Sequence, residues 1–275
     1  MNLSGSVFEE NVEMKLKSIC NADCDCKDFI VYQGTLYCLT SRNTIFVPSE
    51  REEYEFYGEM YRMFAYEHYI YLVFRCSRVF VFDVVCREVV CKMSGRGSRV
   101  VKAVVDGSML YMLCEQGKMH MMSIKDMKCV EDERYDDMST NRNIIVNFTV
   151  YESMILCATA SGEILSDGRA VIKVIDGIDG IDGMTLCGEY LYVASGSGRL
   201  LKYDVNKWRL VQRIDGAKVD VVGDDFMVIG DAIADLRMMR MIRMPVSIRR
   251  MIRTGGEIYM QTQSEIGVWE VIKGS

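Results

Sequence analysis

The chain repeats one pattern of apolar and polar residues, which is clearest over residues 186–214. There the apolar runs 190–194 and 200–203 and the mixed run 209–214 are separated by short segments rich in Gly, Ser, Asp and Asn. Short apolar runs that contain Val, Ile, Tyr or Phe and are bounded by turn-forming residues are typical of β-strands. The stretch therefore predicts three strands joined by two tight turns.

Six other stretches follow the same pattern. A tight turn precedes the most apolar strand of each repeat, and its reference residues are Gly34, His68, Gly107, Glu152, Gly188, Asp224 and Gly256. Successive reference residues are 34, 39, 45, 36, 36 and 32 positions apart. A period of about 37 residues with several strands per repeat is typical of a β-propeller, whereas helical repeats of that length would place apolar residues at i, i+3, i+4 and i+7. The sequence therefore predicts an all-β fold, a seven-bladed β-propeller.

The two ends of the chain are predicted to share one blade. Residues 7–17 end in an alternation of apolar and charged side chains, which indicates a strand with one covered face. The last repeat, residues 246–272, supplies only three strands. The N-terminal strand would then complete the last blade, close the propeller and remove an exposed sheet edge. We expect residues 1–275 to form a single β-propeller domain.

Composition and charge narrow the class of protein. Hydrophobic residues make up 49% of the chain, and the net charge of −6 does not favour a general binder of nucleic acid or of membrane surfaces. The N-terminus lacks the basic and apolar regions of a secretory signal, and no apolar stretch approaches the ~18 residues of a membrane span. We therefore expect the 11 cysteines to be reduced thiols and the protein to be cytoplasmic, nuclear or both, without a membrane partner.

Two segments contain residue types that bind metals in other proteins. Cys20, Cys24 and Cys26 could supply soft ligands for zinc, but their spacing matches no zinc-binding pattern and no histidine is near them. Residues 176–183, DGIDGIDG, lack the alternating acids and the distal Glu of a calcium-binding loop. We expect neither a metal site nor a cofactor.

Three polar or basic segments are candidate surfaces for a partner. Residues 94–99 form a basic glycine loop without the Gly-Lys-Ser/Thr ending of a phosphate-binding loop, and residues 131–143 are the longest polar insertion. Residues 236–253 contain six arginines and no acid, and their spacing allows either a short helix or a strand–turn–strand. The candidate partner-binding residues are Arg96, Arg99, Arg237, Arg240, Arg243, Arg249, Arg250 and Arg253. In residues 236–253 the arginines would contact RNA or an acidic peptide, or else pair with neighbouring Asp and Glu, which is the favoured alternative.

Two repeats, VFVFDVVCREVV (79–90) and LLKYDVNKWRLV (200–211), resemble the end of a WD repeat. In the WD-repeat family the third strand ends in an aromatic–Asp pair, which a turn and the outer strand follow. Phe82–Asp83 and Tyr203–Asp204 stand at these places, although no repeat has a Trp-Asp pair and none opens with Gly-His. The chain is thus similar to a divergent WD-repeat β-propeller. The resemblance implies a scaffold that binds proteins through its loops.

No catalytic motif was found in the sequence. The only two histidines, His68 and His120, have no motif around them, and the chain contains no nucleophile elbow, zinc-protease, Walker or dinucleotide-binding pattern. We therefore expect a non-enzymatic protein–protein interaction scaffold, a subunit of an intracellular multiprotein complex without a small-molecule substrate. One alternative is an RNA-associated subunit of an RNA-modification or ribosome-assembly complex that binds through residues 237–253. Another is a hydrolase whose carboxylates converge from several blades.

Overall fold

The computed structural model describes residues 9–20, 26–95, 98–130, 144–167, 170–175, 180–215, 219–221, 226–229, 232–236, 240–243, 248–254, 257–262 and 265–273. The chain divides into two compact units, the continuous unit Ala22–Ile172 and the discontinuous unit Met1–Asn21 with Lys173–Ser275. Across the described ranges the regular elements are β-strands and one 3-10 turn, Glu115–Gly117. No helix in these ranges is long and apolar enough to cross a membrane. The organisation of residues 1–275 as one domain stays a prediction.

The continuous unit holds four antiparallel sheets, each of four strands that pair in chain order. Sheet 1 consists of β2 (Cys26–Tyr32), β3 (Thr35–Thr40), β4 (Thr44–Val47) and β5 (Glu52–Glu55). Sheet 2 consists of β6 (Met60–Tyr66), β7 (Tyr69–Phe74), β8 (Arg78–Asp83) and β9 (Glu88–Ser94). Sheet 3 consists of β10 (Val100–Asp106), β11 (Met109–Cys114), β12 (Met119–Ser123) and β13 (Lys128–Val130). Sheet 4 consists of β14 (Ile145–Tyr151), β15 (Met154–Thr159), β16 (Glu163–Ser166) and β17 (Ala170–Val174), the last of which crosses the unit boundary.

The discontinuous unit holds the remaining two sheets. Sheet 5 has four strands: β18 (Ile181–Cys187), β19 (Tyr190–Ser195), β20 (Arg199–Asp204) and β21 (Arg209–Asp215). The last sheet has eight strands in the order β22-β23-β24-β25-β1-β28-β27-β26. Its strands are β1 (Glu9–Cys20), β22 (Val219–Val221), β23 (Phe226–Ile229), β24 (Ala232–Asp235), β25 (Arg240–Arg243), β26 (Arg250–Thr254), β27 (Glu257–Gln261) and β28 (Ile266–Lys273).

The prediction of seven blades is wrong in number, because the strands that the structure describes form six sheets. The difference comes from the N-terminal strand. It pairs antiparallel with β28 from Val12↔Lys273 to Cys20↔Ile266, as the sequence predicted, but it also pairs in parallel with β25 through Val12↔Ile242. This second pairing joins the strands expected of the sixth and seventh blades into one eight-stranded sheet. That the pairing closes a propeller stays a prediction.

The second strand of each four-stranded sheet is buried on both faces. In β7, Ile70, Leu72 and Phe74 pack with core residues of sheet 1, whereas Tyr71 and Val73 pack with core residues of sheet 3. Because successive side chains of a strand point to opposite faces, β7 lies between two neighbouring sheets. The nearly continuous apolar runs of the sequence follow from this stacking.

Five of the seven predicted tight turns fall in the described residues. The reference residues Gly34, His68, Gly107, Glu152 and Gly188 each lie between the first and second strands of a four-stranded sheet. Gly34 has φ of +78° and Gly188 has φ of +58°, and Gly adopts such left-handed conformations without the steric cost of a Cβ. The reference residues of the last two repeats, Asp224 and Gly256, lie outside the described residues.

The two WD-like repeats form the same turn. Asp83 ends β8, and its Oδ1 atom accepts hydrogen bonds from the backbone N–H groups of Val85 and Cys86, at 2.7 and 3.2 Å. Asp204 ends β20, and its Oδ1 atom accepts from Asn206 and Lys207, both at 3.0 Å. The carboxylate therefore replaces a backbone acceptor and fixes the turn that leads to the outer strand.

Candidate functional site

One edge of the continuous unit carries loops that lead from one sheet to the next, together with hairpin loops between the second and third strands of a sheet. We define this connection edge as residues 56–59, 75–77, 98–101, 115–117 and 144–146. Backbone hydrogen bonds of 2.8 Å join its segments: Arg75 donates to Glu59, Val100 donates to Arg75, and Glu115 donates to Arg99. The loops of neighbouring sheets are therefore fixed to one another.

The connection edge exposes large apolar side chains. The exposed fraction is 94% for Tyr57, 65% for Ile144, 39% for Val101 and 38% for Val146. Solvent-exposed apolar groups that share one surface are characteristic of protein interaction sites. Sequence reasoning missed these residues, although a tyrosine beside a glycine in a short polar connection, as at Tyr57, was an available signal.

The loop that presents Tyr57 is held at both ends. The backbone N–H of Phe56 donates to the carbonyl of Asn43 at 3.3 Å, and the N–H of Met60 donates to the side-chain Oδ1 of Asn43 at 3.2 Å. The ring of Phe56 packs edge-on against Phe82, with centroids 6.2 Å apart. Tyr57 is therefore an exposed ring on an ordered frame.

The first strand of each four-stranded sheet contains an extra residue near its start. The strand register shifts at this point, so that one residue is a β-bulge, and the bulged residues are Lys27, Tyr61, Val101, Val146 and Asp182. A bulge re-aims a side chain and often marks a functional edge of a sheet. Two of the exposed residues of the connection edge, Val101 and Val146, owe their exposure to this repeated feature.

Polar side chains connect the first strands of neighbouring sheets in the continuous unit. The buried Asp28 accepts a hydrogen bond from the backbone N–H of Met63 at 2.9 Å, and Tyr61 Oη donates to the carbonyl of Val101 at 2.8 Å. Lys102 Nζ donates to Asn147 Oδ1. These bonds satisfy polar groups at the sheet interfaces and hold the bulged strands in register.

Two of the three predicted partner segments adjoin the connection edge. Residues 94–99 lead from sheet 2 to sheet 3, and Arg99 in this loop is exposed, with its Nη1 3.5 Å from Glu115 Oε1. Residues 131–143 connect β13 to β14, but they lie outside the described residues, as does Arg96. The partner-binding role of these segments stays a prediction.

The third predicted segment lies in the discontinuous unit, and its described parts are strands. Arg240 and Arg243 begin and end β25, and Arg250 begins the half-buried β26. Arg249 is exposed, and its backbone N–H donates to the carbonyl of Gln261 at 2.9 Å. Arg237 lies outside the described residues. Residues 240–243 and 250–254 are therefore strands, which agrees with the strand–turn–strand alternative and not with a helix over 240–243.

Arg253 forms a buried ion pair. Its Nη2 atom lies 2.5 Å from Asp235 Oδ2, and the exposed fractions of the two side chains are 14% and 0%. The guanidinium also lies 5.0 Å from the centroid of Phe226. Arg253 therefore pairs with an acidic residue, which is the alternative that the sequence favoured. Its guanidinium is largely shielded from solvent.

The described residues offer little for catalysis or for metal binding. No group of three or more His, Cys, Asp or Glu side chains in these ranges could hold a metal ion. Of the three cysteines considered for zinc, Cys26 is buried and its Sγ lies 3.0 Å from the carbonyl of Asp28, Cys20 lies in β1, and Cys24 is outside the described residues. Burial raises the pKa of the Cys114 thiol, which disfavours the nucleophilic thiolate.

Both histidines lie against neighbouring residues of the sheets and their loops. The ring of His68 stacks on Tyr69, with centroids 3.9 Å apart, and its Nε2 atom lies 3.8 Å from Asp83 Oδ2. His120 is half-buried in β12, where its ring would be 3.2 Å from a Cβ added to Gly95. That the protein is not an enzyme stays a prediction.

Comparisons with known proteins concern the fold. No protein-family model matches the sequence, and no curated protein matches it. The WD40 β-propeller domain of Doa1 is similar in structure, with a TM-score of 0.66, 11% identity, and coverage of 94% of this chain and 97% of that one. A chain of the mitotic checkpoint complex has a TM-score of 0.65 and 10% identity, with coverage of 94% of this chain and 93% of that one. BamB from Moraxella catarrhalis has a TM-score of 0.60 and 13% identity, with coverage of 94% of this chain and 99% of that one. The chain therefore has an all-β propeller fold similar to that of WD40 β-propeller domains.

Proposed function

We propose that the protein is a non-enzymatic scaffold for protein–protein interaction, a subunit of an intracellular multiprotein complex in the cytoplasm or the nucleus. The observation that carries the proposal is the row of exposed apolar side chains on the connection edge: Tyr57, Val101, Ile144 and Val146. Binding of a partner removes this apolar surface from water. Because hydrogen bonds already hold the loops, little conformational entropy is lost when the partner binds.

The similarity to WD40 domains supports a scaffold in general terms. One of the similar structures is a chain of the mitotic checkpoint complex, which is by its name a multiprotein assembly. Fold alone does not assign function, so the proposal rests on the connection edge of this chain.

The RNA-associated role is the alternative that the sequence left open. It requires arginines of residues 237–253 that can reach phosphate groups. Arg253 is engaged with Asp235 and Phe226, which weakens this alternative, whereas Arg249 is exposed. The same experiment tests both roles.

The experiment is an affinity purification of the tagged protein from its native lysate, with and without nuclease. The test variant replaces Tyr57, Val101 and Ile144 by Ser. In the matched control, Ser replaces three exposed apolar residues that lie outside the connection edge: Val85, Leu210 and Val211. All three proteins are first compared by thermal unfolding, so that a folding defect is not taken for lost binding.

We expect stoichiometric protein partners that survive nuclease, that the control retains and that the test variant loses. Partners lost only on nuclease treatment would overturn the proposal in favour of the RNA-associated role. Equal recovery with the test variant and the control would show that the connection edge is not the binding surface.

A further inference from the structure

A second feature of the continuous unit combines an exposed aromatic ring with two cations. Arg78 and Lys92 are exposed on the paired strands β8 and β9. Arg78 pairs with Ser94 and Lys92 pairs with Phe80, so the two cations are diagonal neighbours, and Arg78 lies next to Gly58 in the loop of Tyr57. Neither forms an ion pair with an acidic residue anywhere in the described ranges. We call Tyr57, Arg78 and Lys92 the cationic corner.

Arg78 is held in place by contacts that leave its charge available. Its guanidinium carbon lies 5.6 Å from the centroid of Phe74 and 5.8 Å from that of Phe80, and its Nε atom donates to Cys76 Sγ at 2.9 Å. Its Nη1 and Nη2 groups have no acceptor among the residues that the structure describes. An arginine ordered in this way presents charged donors without a further loss of side-chain entropy.

Lys92 shares the same aromatic support. Its Nζ atom lies 5.1 Å from the centroid of Phe80, in the strand opposite. Both positive charges of the corner, those of Arg78 and Lys92, therefore lie close to the ring of Phe80. Two cations on one ring repel each other, and an anion bound between them would relieve that repulsion.

Gly58 brings the Tyr57 loop against Arg78. A Cβ added to Gly58 would lie 3.0 Å from Arg78 Nη2 and 3.2 Å from Phe74 Cδ1, and the φ of Gly58 is +115°. A side chain at this position would push the loop and the guanidinium apart. The glycine thus lets the loop that carries Tyr57 lie against the unpaired charge of Arg78.

Several other arginines of the continuous unit are paired with glutamates. Arg42 lies 2.8 Å from Glu53, and Arg99 lies 3.5 Å from Glu115. Arg78 differs from these two because it has aromatic and thiol neighbours but forms no ion pair with a carboxylate in the described residues. The missing carboxylate is the group that a partner could supply.

We propose that the cationic corner binds a short acidic peptide segment of a partner protein. Two carboxylates of the peptide contact Arg78 and Lys92, and an apolar side chain of the peptide packs on the ring of Tyr57. This inference rests on the proposed scaffold function and specifies the chemistry of the partner. A short peptide with only two carboxylates matches the two cations of the corner, whereas a nucleic acid would place further phosphates beside the exposed Glu55 and Glu59.

The test is a selection from a random peptide library displayed on phage, with the purified full-length protein as bait. The variants are Tyr57→Ala, Arg78→Gln and Lys92→Gln. The matched controls are Val85→Ala, an exposed apolar position outside the corner, and Lys125→Gln, an exposed lysine in the turn between β12 and β13. Enriched peptides are then synthesised, and their affinities are measured by fluorescence anisotropy at two salt concentrations.

We expect the wild-type protein to enrich peptides with paired Asp or Glu residues beside an apolar residue. Arg78→Gln should weaken the binding of such a peptide by about tenfold, and Tyr57→Ala by a similar factor, while the two controls leave it unchanged. Higher salt should weaken binding to the wild-type protein more than binding to Arg78→Gln.

Failure to enrich any peptide, or enrichment of peptides without acidic residues, would overturn the inference. Binding of an oligouridylate that competes with the acidic peptide, and is lost in Arg78→Gln, would show that the corner binds nucleic acid instead. If a native partner is still recovered with all three corner variants, the scaffold function stands and only the inference about the corner fails.

Discussion

The carboxylate of Asp235 lies 2.5 Å from the guanidinium of Arg253, although β24 and β26 are not neighbours in the eight-stranded sheet. Phe226 of β23 covers the guanidinium. Removing two charges from water is costly, and their mutual attraction offsets that cost only while both are present. The pair therefore connects strands that are distant in the order of this sheet. Loss of one partner should destabilise the protein, because the other charge would stay buried and unpaired.

Replacement of Asp235 by Ala should lower the free energy of unfolding by about 3 kcal/mol, because it leaves the Arg253 charge buried without its partner. The double variant Asp235→Leu with Arg253→Met removes both charges and should recover most of this loss. Urea unfolding of the wild type and the two variants checks the expectation. If the double variant is no more stable than Asp235→Ala, the loss does not come from an unpaired charge.

The turn after the third strand can be tested with a pair of substitutions at one position. Asp204→Ala removes the acceptor for the N–H groups of Asn206 and Lys207 and should cost about 1 kcal/mol. Asp204→Asn keeps an oxygen acceptor and should cost less than half as much. Urea unfolding measures both. Equal losses in the two variants would indicate that the charge of Asp204, and not its hydrogen bonds, stabilises the turn.

The sequence predicted the features that depend on local patterns. Tight turns at Gly34 and Gly188 and the turns after Asp83 and Asp204 follow from turn-forming residues between apolar runs, and the structure has them. The unbroken apolar sequence of β7 is likewise typical of a strand that is buried on both faces. Each of these features is decided within a few residues.

Features that depend on pairing between distant residues were not predicted. Nothing in residues 7–17 indicates a parallel partner, so the joining of β1 to β25 and the count of six sheets could not be inferred. The exposure of Tyr57 depends on Asn43, 14 positions earlier in sheet 1, which holds the ends of the loop. Tertiary context determines both.

The turn between β14 and β15 should accept a stabilising glycine. Glu152 and Ser153 have φ of 48° and 66°, and residues with a Cβ are disfavoured in this left-handed conformation. Ser153 is exposed at the tip of the hairpin, so Ser153→Gly removes the strain without loss of packing. We expect the free energy of unfolding to rise by about 0.5–1 kcal/mol. The matched substitution Ser161→Gly, at an exposed position whose hydroxyl lies 3.0 Å from Thr159 Oγ1, should not stabilise the protein.

Buried tyrosines should make the fold sensitive to alkaline pH. Burial raises the pKa of Tyr71, whose Oη donates to the carbonyl of Ile124 at 2.5 Å, and burial likewise raises the pKa of Tyr192. In the unfolded chain a tyrosine loses its proton near its ordinary pKa of about 10. Above that pH the unfolded state binds fewer protons than the folded state, so the free energy of unfolding falls as pH rises.

Comparison of the wild type with Tyr71→Phe isolates this effect. Phenylalanine does not ionise, so the variant should be less stable at pH 7 by about 1 kcal/mol, for the lost hydrogen bond, but should lose less stability between about pH 10 and pH 11. Burial lowers the pKa of Lys202, which works in the opposite sense, but that contribution is the same in both proteins. Urea unfolding at several pH values gives the two slopes. Parallel slopes would mean that the Tyr71 hydroxyl ionises as readily in the folded protein as in the unfolded chain, against the burial that this structure gives it.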